Sequence, residues 1–327
     1  MAWEKVPNIF LKSCRTFILL LVKLSKDQKS ALKSILSWLK DKDRSQYLTL
    51  GGYAGTGKTT LTAMLRRLLH KRNDQLKIAL ISYTGKASRV LDATLRKHDA
   101  RFDQDFVGTI HSYIYAPIVS SGGVVTGWKK KTSLDAQLII VDEASMVNLD
   151  IFRDLISFDL PILAIGDHGQ LSPIHGDFNL MEDPNIKLEK IHRQAQDNPI
   201  IKLSIKARKK GFIKSGQYGT AVEKIDQAGF DAQQKVEDLL SQYDDDTLVL
   251  SGYNHTRDKI NDFIRQKRFF EPQIEPVEGD RVICLRNNHE KNIYNGMLGT
   301  IINIKPFEDD FYKVQIEMDI DDQVFQG

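Results

Sequence analysis

The sequence predicts an α/β protein built around a doubly wound parallel β-sheet, and three observations support this. Short, almost entirely apolar runs recur along the chain, as expected for strands buried on both faces of a parallel sheet. These runs are residues 47–50, 78–82, 138–141, 162–165 and 247–250. Segments with helical periodicity lie between several of them, including 86–97 and 149–155. A glycine-rich phosphate-binding motif follows the first run, at residues 52–60.

Residues 52–60 match the pattern G-x-x-x-x-G-K-[ST]. Glycines allow backbone N–H groups to converge on a phosphate, and the helix predicted at 58–70 points its positive end at the same oxygens. We expect Lys58 to bridge the β- and γ-phosphates of a nucleoside triphosphate and Thr59 to ligate Mg²⁺. A glycine-rich turn without a ligand is the competing interpretation, but the flanking strand and helix favour a nucleotide. The predicted nucleotide-binding residues of the loop are Gly52, Gly55, Thr56, Gly57, Lys58, Thr59 and Thr60.

Two carboxylates end the apolar run at 138–141. At a strand tip beside a phosphate-binding loop, we expect Asp142 to hold Mg²⁺ and Glu143 to orient and deprotonate an attacking water. An acidic pair in isolation fits a solvated loop equally well. The phosphate-binding loop earlier in the same alternating pattern favours the catalytic interpretation.

Composition limits the possible partners of this chain. Its 327 residues are 41% hydrophobic and 27% charged, which is ordinary for a globular protein, and they suffice for two domains. The formal net charge is only +3, so any nucleic-acid site must be a local groove. Two cysteines, Cys14 and Cys284, provide neither a disulfide framework nor metal-ligand spacing, and this suits the cytoplasm.

The apolar run at residues 17–22 resembles part of an export signal. It is too short to span a membrane, Lys23 and Lys26 follow it, and no small-residue cleavage site is visible. We therefore expect a packed N-terminal strand or helix and no membrane partner. Residues 27–40 form a helical apolar stripe behind Ser25, a good capping residue.

Several blocks of this sequence together resemble those of a known protein family. Residues 142–145, together with residues 166–174, look like motifs II and III of superfamily 1 helicases of the RecD and Dda branch. Further blocks are similar to that branch in the same order, at 24–28 (the Q motif), 83–87 and 108–112 (single-strand contacts), 188–194, 252–257 and 277–282. The resemblance runs from about residue 24 to about residue 305 and implies a P-loop RecA-like fold.

The resemblance also predicts the domain organisation. Residues 1–187 would form an N-terminal segment and the first RecA-like ATPase domain, with a β-hairpin inserted at about 113–135. Residues 188–270 would begin a second RecA-like domain, and 271–327 would form a small, incomplete β-barrel insertion. Asn/Gly turns between short strands in this last segment favour antiparallel pairing.

The resemblance assigns three further residues to ATP. Gln28 would read the adenine base, Gln170 would couple the γ-phosphate to motion, and Arg193 would act as an arginine finger across domains. Taken alone, Gln170 fits a loop amide that bonds its own backbone. Arg193 alone fits a surface salt bridge.

The resemblance further implies contacts to single-stranded DNA from Thr84, Lys86, Thr109 and His111. Hydroxyl, N–H and cationic groups suit phosphate oxygens without reading sequence. His111 alone also fits a structural histidine. In the inserted hairpin, Trp128 precedes a run of three lysines and has two open interpretations. One is a stacking or strand-separating surface, and the other is an aromatic residue packed on its own hairpin with a solvated basic tip.

The family normally continues past the barrel to two further blocks, a Thr/His-Lys-x-Gln-Gly segment and a Thr-Arg segment, and neither is found after the barrel segment of this sequence. We therefore expect a truncated or split form, and two functions remain open. The first is an ATP- and Mg²⁺-dependent DNA helicase or translocase, moving 5′ to 3′ by resemblance, with replication or recombination proteins as possible partners. The second is an ATP- and single-strand-binding module without autonomous unwinding, such as an exodeoxyribonuclease subunit. A third possibility is an RNA helicase, because the implied contacts do not involve the 2′-OH group that distinguishes RNA from DNA. The sequence does not indicate an oligomeric state.

Overall fold

The computed structural model describes most of the chain after the first 23 residues. The described residues are 24–119, 125–171, 173, 178–189, 198–244, 246–269, 275–285, 288, 291, 293, 295–308, 311–319 and 324–327. The chain divides into two compact units, Met1–Ile201 and Lys202–Gly327. The apolar run at 17–22 lies outside the described residues.

The first unit alternates strands and helices. In chain order its elements are α1 (Lys26–Lys40), β1 (Tyr47–Gly52), α2 (Lys58–Arg72), β2 (Ile78–Ser82), α3 (Gly85–Lys97), β3 (Phe106–Thr109), α4 (Ile110–Ile114), β4 (Tyr115–Val119), β5 (Val125–Lys130), β6 (Leu138–Asp142), a 3₁₀ turn (Ala144–Met146), α5 (Leu149–Ile156), β7 (Ile162–Gly166) and β8 (Ile186–Leu188). Six of the strands form one sheet in the order β3-β2-β6-β7-β1-β8, and all of its pairings are parallel. The predicted α/β fold with a parallel sheet is confirmed.

Helices cover both faces of this sheet. Successive residues of a strand point to opposite faces, and β2 shows the result. Leu80 belongs to an apolar cluster that includes Leu65 of α2, whereas Ile81 belongs to a second cluster with Phe152 of α5. All five residues of β2, β6 and β7 are buried, because each lies between strands and beneath helices. Their nearly unbroken apolar composition follows from this position.

One ion pair lies inside the apolar core. Arg66 of α2 donates from Nε to Oδ2 of Asp105 at 2.5 Å and from Nη2 to Oδ1 at 3.0 Å, and both side chains are fully buried. Oδ1 of Asp105 also accepts from the backbone N–H of Ile78 at 3.1 Å, at the start of β2. The ion pair therefore links α2, the helix that follows the phosphate-binding loop, to the start of β2.

The predicted inserted hairpin is formed by β4 and β5, which pair antiparallel with Pro117 opposite Trp128. Residues 120–124, which connect these two strands, lie outside the described residues. Asp154 of α5 fastens the base of the hairpin. The Tyr115 hydroxyl donates to Oδ2 of Asp154 at 2.5 Å, and the Lys130 ammonium lies 3.0 Å from Oδ1.

Helix α6 (Pro199–Lys210) includes the boundary between the two units. Among its described residues, the second unit then contains two further helices and six short or paired strands. In chain order they are β9 (Gly216–Tyr218), β10 (Val222–Lys224), α7 (Ala232–Ser241), α8 (Asn254–Phe269), β11 (Arg281–Ile283), β12 (Leu298–Glu308), β13 (Phe311–Met318) and β14 (Val324–Gln326). The antiparallel strands expected near the end of the chain are present, paired in the order β11-β12-β13-β14.

The prediction of a strand at residues 247–250 is wrong. In the described part of the second unit, this run joins no sheet, and Leu248 and Leu250 are 78% and 84% exposed. A strand requires a neighbouring strand to satisfy its N–H and C=O groups, and none lies beside this run among the described residues. Apolar composition alone therefore did not produce strand structure here.

No helix in the described ranges is both long enough and apolar enough to cross a lipid bilayer.

Candidate functional site

The phosphate-binding loop connects β1 to α2 and depends on its glycines. Gly55 and Gly57 both have φ of 79°, a left-handed conformation that residues with a Cβ seldom adopt. Gly52 is required by space, because a Cβ there would lie 2.7 Å from Oγ1 of Thr56 and 3.0 Å from Cβ of Leu188. The glycine spacing of the motif thus corresponds to a tight loop at the carboxyl end of β1.

Lys58 folds back over this loop. Its ammonium donates to the carbonyl oxygen of Gly52 at 2.6 Å and to that of Tyr53 at 3.3 Å. These carbonyls hold the cation at the centre of the loop, where an anion would meet it.

A cavity of about 300 Å³ opens in front of the loop. Its lining combines residues of the loop with residues that follow β6 and β7. They are Ala54, Gly55, Gly57, Lys58, Thr59, Thr60, Glu143, Asp167 and Gln170. Because β1, β7 and β6 are parallel neighbours, their carboxyl ends meet at one edge of the sheet. This topology brings residues from three distant motifs into one cavity large enough for a small ligand.

Asp142 ends β6 and is 5% exposed. Burial, followed by the adjacent charge of Glu143, raises the pKa of the Asp142 carboxyl to about 6. The backbone N–H of Glu143, 3.1 Å from Oδ1, and the positive charge of Lys58 act in the opposite direction. The positive charge of Lys58 thus stabilises the ionised form of the Asp142 carboxyl.

The residues present fit a Mg²⁺ ion held jointly with phosphates. Within the described ranges, no three His, Cys, Asp or Glu side chains converge to form an all-protein metal cage. Magnesium commonly uses one or two protein oxygen ligands together with phosphate oxygens and waters. Thr59 and Asp142 supply a hydroxyl and a carboxylate of this kind.

Glu143 has an unusual backbone. Its φ and ψ are 54° and 43°, the left-handed region, although it is not a glycine. This conformation turns the chain directly after β6 and places Glu143 in the cavity lining. Such strain costs roughly 1–3 kcal/mol and is often found at functional sites.

Gln170 is linked to the turn that follows the acidic pair. Its Oε1 accepts a 2.8 Å hydrogen bond from Oγ of Ser145, which is 2% exposed. Because Oε1 faces Ser145, the Nε2 donor is available to other partners. The Gln170 side chain thus bonds a neighbouring motif, unlike the simple loop amide considered above.

Sequence reasoning missed two residues of this site, Ser145 and Asp167. Asp167 lines the cavity, is 3% exposed, and accepts a 2.8 Å hydrogen bond from the backbone of Gly169. The available signal was its position directly after β7, which matches the position of Asp142 at the end of β6. Ser145 gave no comparable signal, because its contact with Gln170 joins residues 25 positions apart.

Two further residues, Gln28 and Arg193, were predicted to contact ATP. Gln28 is 2% exposed and donates from Nε2 to the carbonyl oxygen of Thr56 at 2.7 Å, behind the loop. Arg193 lies outside the described residues.

The predicted nucleic-acid contacts follow β2 and β3. Thr84 and Thr109 cap α3 and α4, accepting from the N–H groups of Ala87 and Ser112 at 3.2 Å each. Since all strands of the sheet are parallel, these threonines lie on the same edge as the phosphate-binding loop. Three strand spacings separate β2 from β1, which is roughly 14 Å. Lys86, in the first turn of α3, is exposed.

An aromatic cluster joins α4 to the hairpin. The His111 ring lies 4.4 Å from that of Tyr115 and 4.9 Å, edge to face, from that of Trp128. Trp128 is 50% exposed, so its ring contacts His111 of α4 and also offers a face to solvent. Partial desolvation by these neighbouring rings lowers the pKa of His111, although the residue itself remains exposed.

Two lysines of the run beside Trp128 are bound by other groups of the protein. Lys130 is bound by Asp154, and Lys131 donates to the carbonyl oxygen of Tyr113 at 2.7 Å. Lys130 is nevertheless 41% exposed, so both interpretations of Trp128 and the lysine run stay predictions.

Residues 23–231, more than half of the chain, match the family described as AAA domain. The chain belongs to this family. The AAA domain match spans the whole described cavity lining, from Ala54 to Gln170.

Curated relatives of this AAA domain protein include two DNA helicases. The ATP-dependent DNA helicase dda of Enterobacteria phage T4 is 26% identical over 288 residues, which cover 80% of this chain and 60% of that protein. The ATP-dependent RecD2 DNA helicase of Deinococcus radiodurans is 29% identical over 188 residues, covering 54% of this chain and 23% of that protein. The predicted resemblance to the RecD and Dda branch of superfamily 1 is confirmed. The chain spans less than two thirds of the length of these relatives.

Solved structures support the fold. The Pif1 helicase from Bacteroides, solved with ADP-AlF3 and single-stranded DNA, is 19% identical with a TM-score of 0.50. The similarity covers 90% of this chain and 73% of that one. The arrangement of strands and helices in this AAA domain protein is therefore a RecA-like α/β fold.

Proposed function

We propose that this chain is an ATP-hydrolysing DNA motor. It couples ATP hydrolysis to 5′-to-3′ movement along single-stranded DNA and to unwinding, in replication, recombination or repair. The observation that carries the proposal is the arrangement at one sheet edge. Candidate phosphate-binding residues follow β1, candidate acids follow β6, and candidate strand-binding residues follow β2 and β3.

The cavity residues have complementary roles in the proposed hydrolysis. The loop N–H groups and Lys58 bind the triphosphate, and release of the Lys58 ammonium from its two carbonyls frees it for phosphate oxygens. Glu143 orients a water and takes its proton as the water oxygen bonds to the γ-phosphorus. The bond to the bridging oxygen breaks, and ADP leaves. Thr59 and Asp142 would hold Mg²⁺, which neutralises phosphate charge when bound.

Gln170 is proposed to report the state of the γ-phosphate. Its Oε1 is held by Ser145, so its amide nitrogen is directed elsewhere in the cavity that it lines. Arg193 completes the proposed site by resemblance, as an arginine finger that stabilises charge on the transferring phosphoryl group.

The proposed DNA contacts run across the adjoining strands. Thr84, Lys86 and Thr109 offer groups suited to phosphate oxygens. The half-exposed ring of Trp128, supported by His111, is suited to stacking against an unpaired base. The relatives support this assignment, since dda and RecD2 are named ATP-dependent DNA helicases and the Bacteroides Pif1 structure holds single-stranded DNA.

The test is an ATPase assay with and without single-stranded DNA. We expect DNA to stimulate turnover, Lys58→Ala to abolish it, and Glu143→Gln to abolish it while ATP still binds. Lys71→Ala is the matched control, because Lys71 is an exposed lysine at the other end of the same helix. Undiminished turnover in the Lys58→Ala or Glu143→Gln protein would refute the assignment. DNA affinity should also fall steeply with salt, because phosphate contacts release counterions.

A further inference from the structure

The side chain of Gln28 connects the start of α1 to the back of the phosphate-binding loop. Its Oε1 accepts from the N–H of Ser25 at 3.0 Å, and Oγ of Ser25 accepts from the N–H of Gln28 at 3.3 Å. This is a capping box for α1. The cap uses only Oε1. The 2.7 Å bond from Nε2 to the Thr56 carbonyl is a separate contact, which a glutamate at this position would lack.

The other polar groups of Thr56 are held within the loop. Its N–H and its hydroxyl both point at the carbonyl oxygen of Tyr53, at 3.2 Å and 2.7 Å. Thr56 is 1% exposed, so its carbonyl oxygen is shielded from water and bonded to Gln28 instead. Gln28 thus holds the loop from outside at this carbonyl.

The geometry of the next peptide unit gives this bond a consequence. The peptide from Thr56 to Gly57 is trans, so its C=O and N–H point in opposite directions. Because the carbonyl faces Gln28 behind the loop, the N–H of Gly57 faces away from Gln28. Gly57 lines the cavity. Glycine has no Cβ to restrict rotation of this peptide plane, so the contact from Gln28 adds a restraint on its orientation.

We propose that Gln28 is a positioning residue for the phosphate tail of the nucleotide. By holding the Thr56 carbonyl, it keeps the Gly57 N–H directed at the bound phosphates. This inference rests on the proposed nucleotide binding and assigns Gln28 a task other than reading adenine. A base-reading residue affects the choice of base, whereas this brace acts on any triphosphate.

The test measures binding of ATP, GTP and inorganic tripolyphosphate by titration calorimetry in magnesium-free buffer. Gln28→Glu keeps the capping acceptor but loses the donor to Thr56. Gln28→Met keeps the side-chain volume without burying a charge. Gln46→Met is the matched control, because Gln46 also donates its amide to a backbone carbonyl, that of Ile156 at 2.6 Å, near the opposite end of β1. Thermal melts verify that each variant is folded.

We expect both Gln28 variants to weaken all three ligands by the same factor, about fivefold or more, the loss expected when a buried carbonyl loses its donor. Gln46→Met should leave all three affinities unchanged. Loss of ATP affinity with tripolyphosphate affinity intact would overturn the brace and identify a base reader. Unchanged affinities in a folded Gln28 variant would overturn it as well. Failure of the wild-type protein to bind any of the three ligands would overturn the nucleotide-binding proposal itself, and the brace with it.

Discussion

Removing the carboxylate of Asp105 should destabilise the first unit strongly. Asp105→Ala deletes the acceptor of three hydrogen bonds, two from Arg66 and one from the backbone of Ile78. The Arg66 guanidinium, fully buried, would keep its charge without a counterion. Breaking one partner of a buried pair typically costs about 3–5 kcal/mol. That is a large share of the roughly 5–15 kcal/mol that stabilises an ordinary domain.

The assay is equilibrium urea unfolding followed by far-UV circular dichroism. The matched control is Asp92→Ala, because Asp92 also pairs with arginines, Arg96 and Arg101, but its side chain is 28% exposed. Exposed pairs contribute about 0–1 kcal/mol, so this control should change the unfolding midpoint little.

A double variant separates the charge from the packing. Arg66→Met with Asp105→Leu removes both charges and should recover most of the lost stability, because an apolar replacement of a buried pair is often neutral. The reasoning is refuted if Asp105→Ala costs no more than Asp92→Ala.

Three further predictions concern the sheet edge. Ser145→Ala removes the bond that orients Gln170 and should lower ATP turnover roughly 2- to 13-fold, with the KM for ATP unchanged; a change in KM alone would contradict an orienting role. Because burial lowers the His111 pKa from 6.5, folding disfavours the protonated ring, so His111 should reduce stability as pH falls below 6.5. An NMR titration of its ring protons should have a midpoint below 6.5, and a higher midpoint would contradict partial desolvation of the ring by Tyr115 and Trp128. Asp154→Asn should speed amide hydrogen exchange in β4 and β5, since Tyr115 and Lys130 lose their shared carboxylate; unchanged exchange would mean that the hairpin is held by other contacts.

The strands of the first unit were predictable because each one is buried on both faces. The apolar run at 78–82 coincides with β2, and the run at 138–141 differs from β6 by one residue. The run at 247–250 has similar composition but forms no strand among the described residues. Composition records how apolar a segment is, whereas a strand also depends on partners supplied by other segments.

The site was predictable where a motif is local and unpredictable where it depends on distant contacts. The tight loop at Gly52 and Lys58 could be predicted from the spacing of the motif alone, because its glycines are where a side chain would clash or be strained. The bond from Gln28 to Thr56 and the bond from Ser145 to Gln170 join residues 28 and 25 positions apart. No periodicity in the sequence specifies such pairs, because the sheet topology creates them.

The left-handed backbone of Glu143 makes stability and the proposed catalytic role compete at a single position. Glycine would adopt the same φ and ψ without a Cβ penalty, so Glu143→Gly should relieve backbone strain while removing the carboxylate. A laboratory selection for thermal resistance alone should thus favour loss of this side chain, and under the proposed function the most stable variants would no longer hydrolyse ATP.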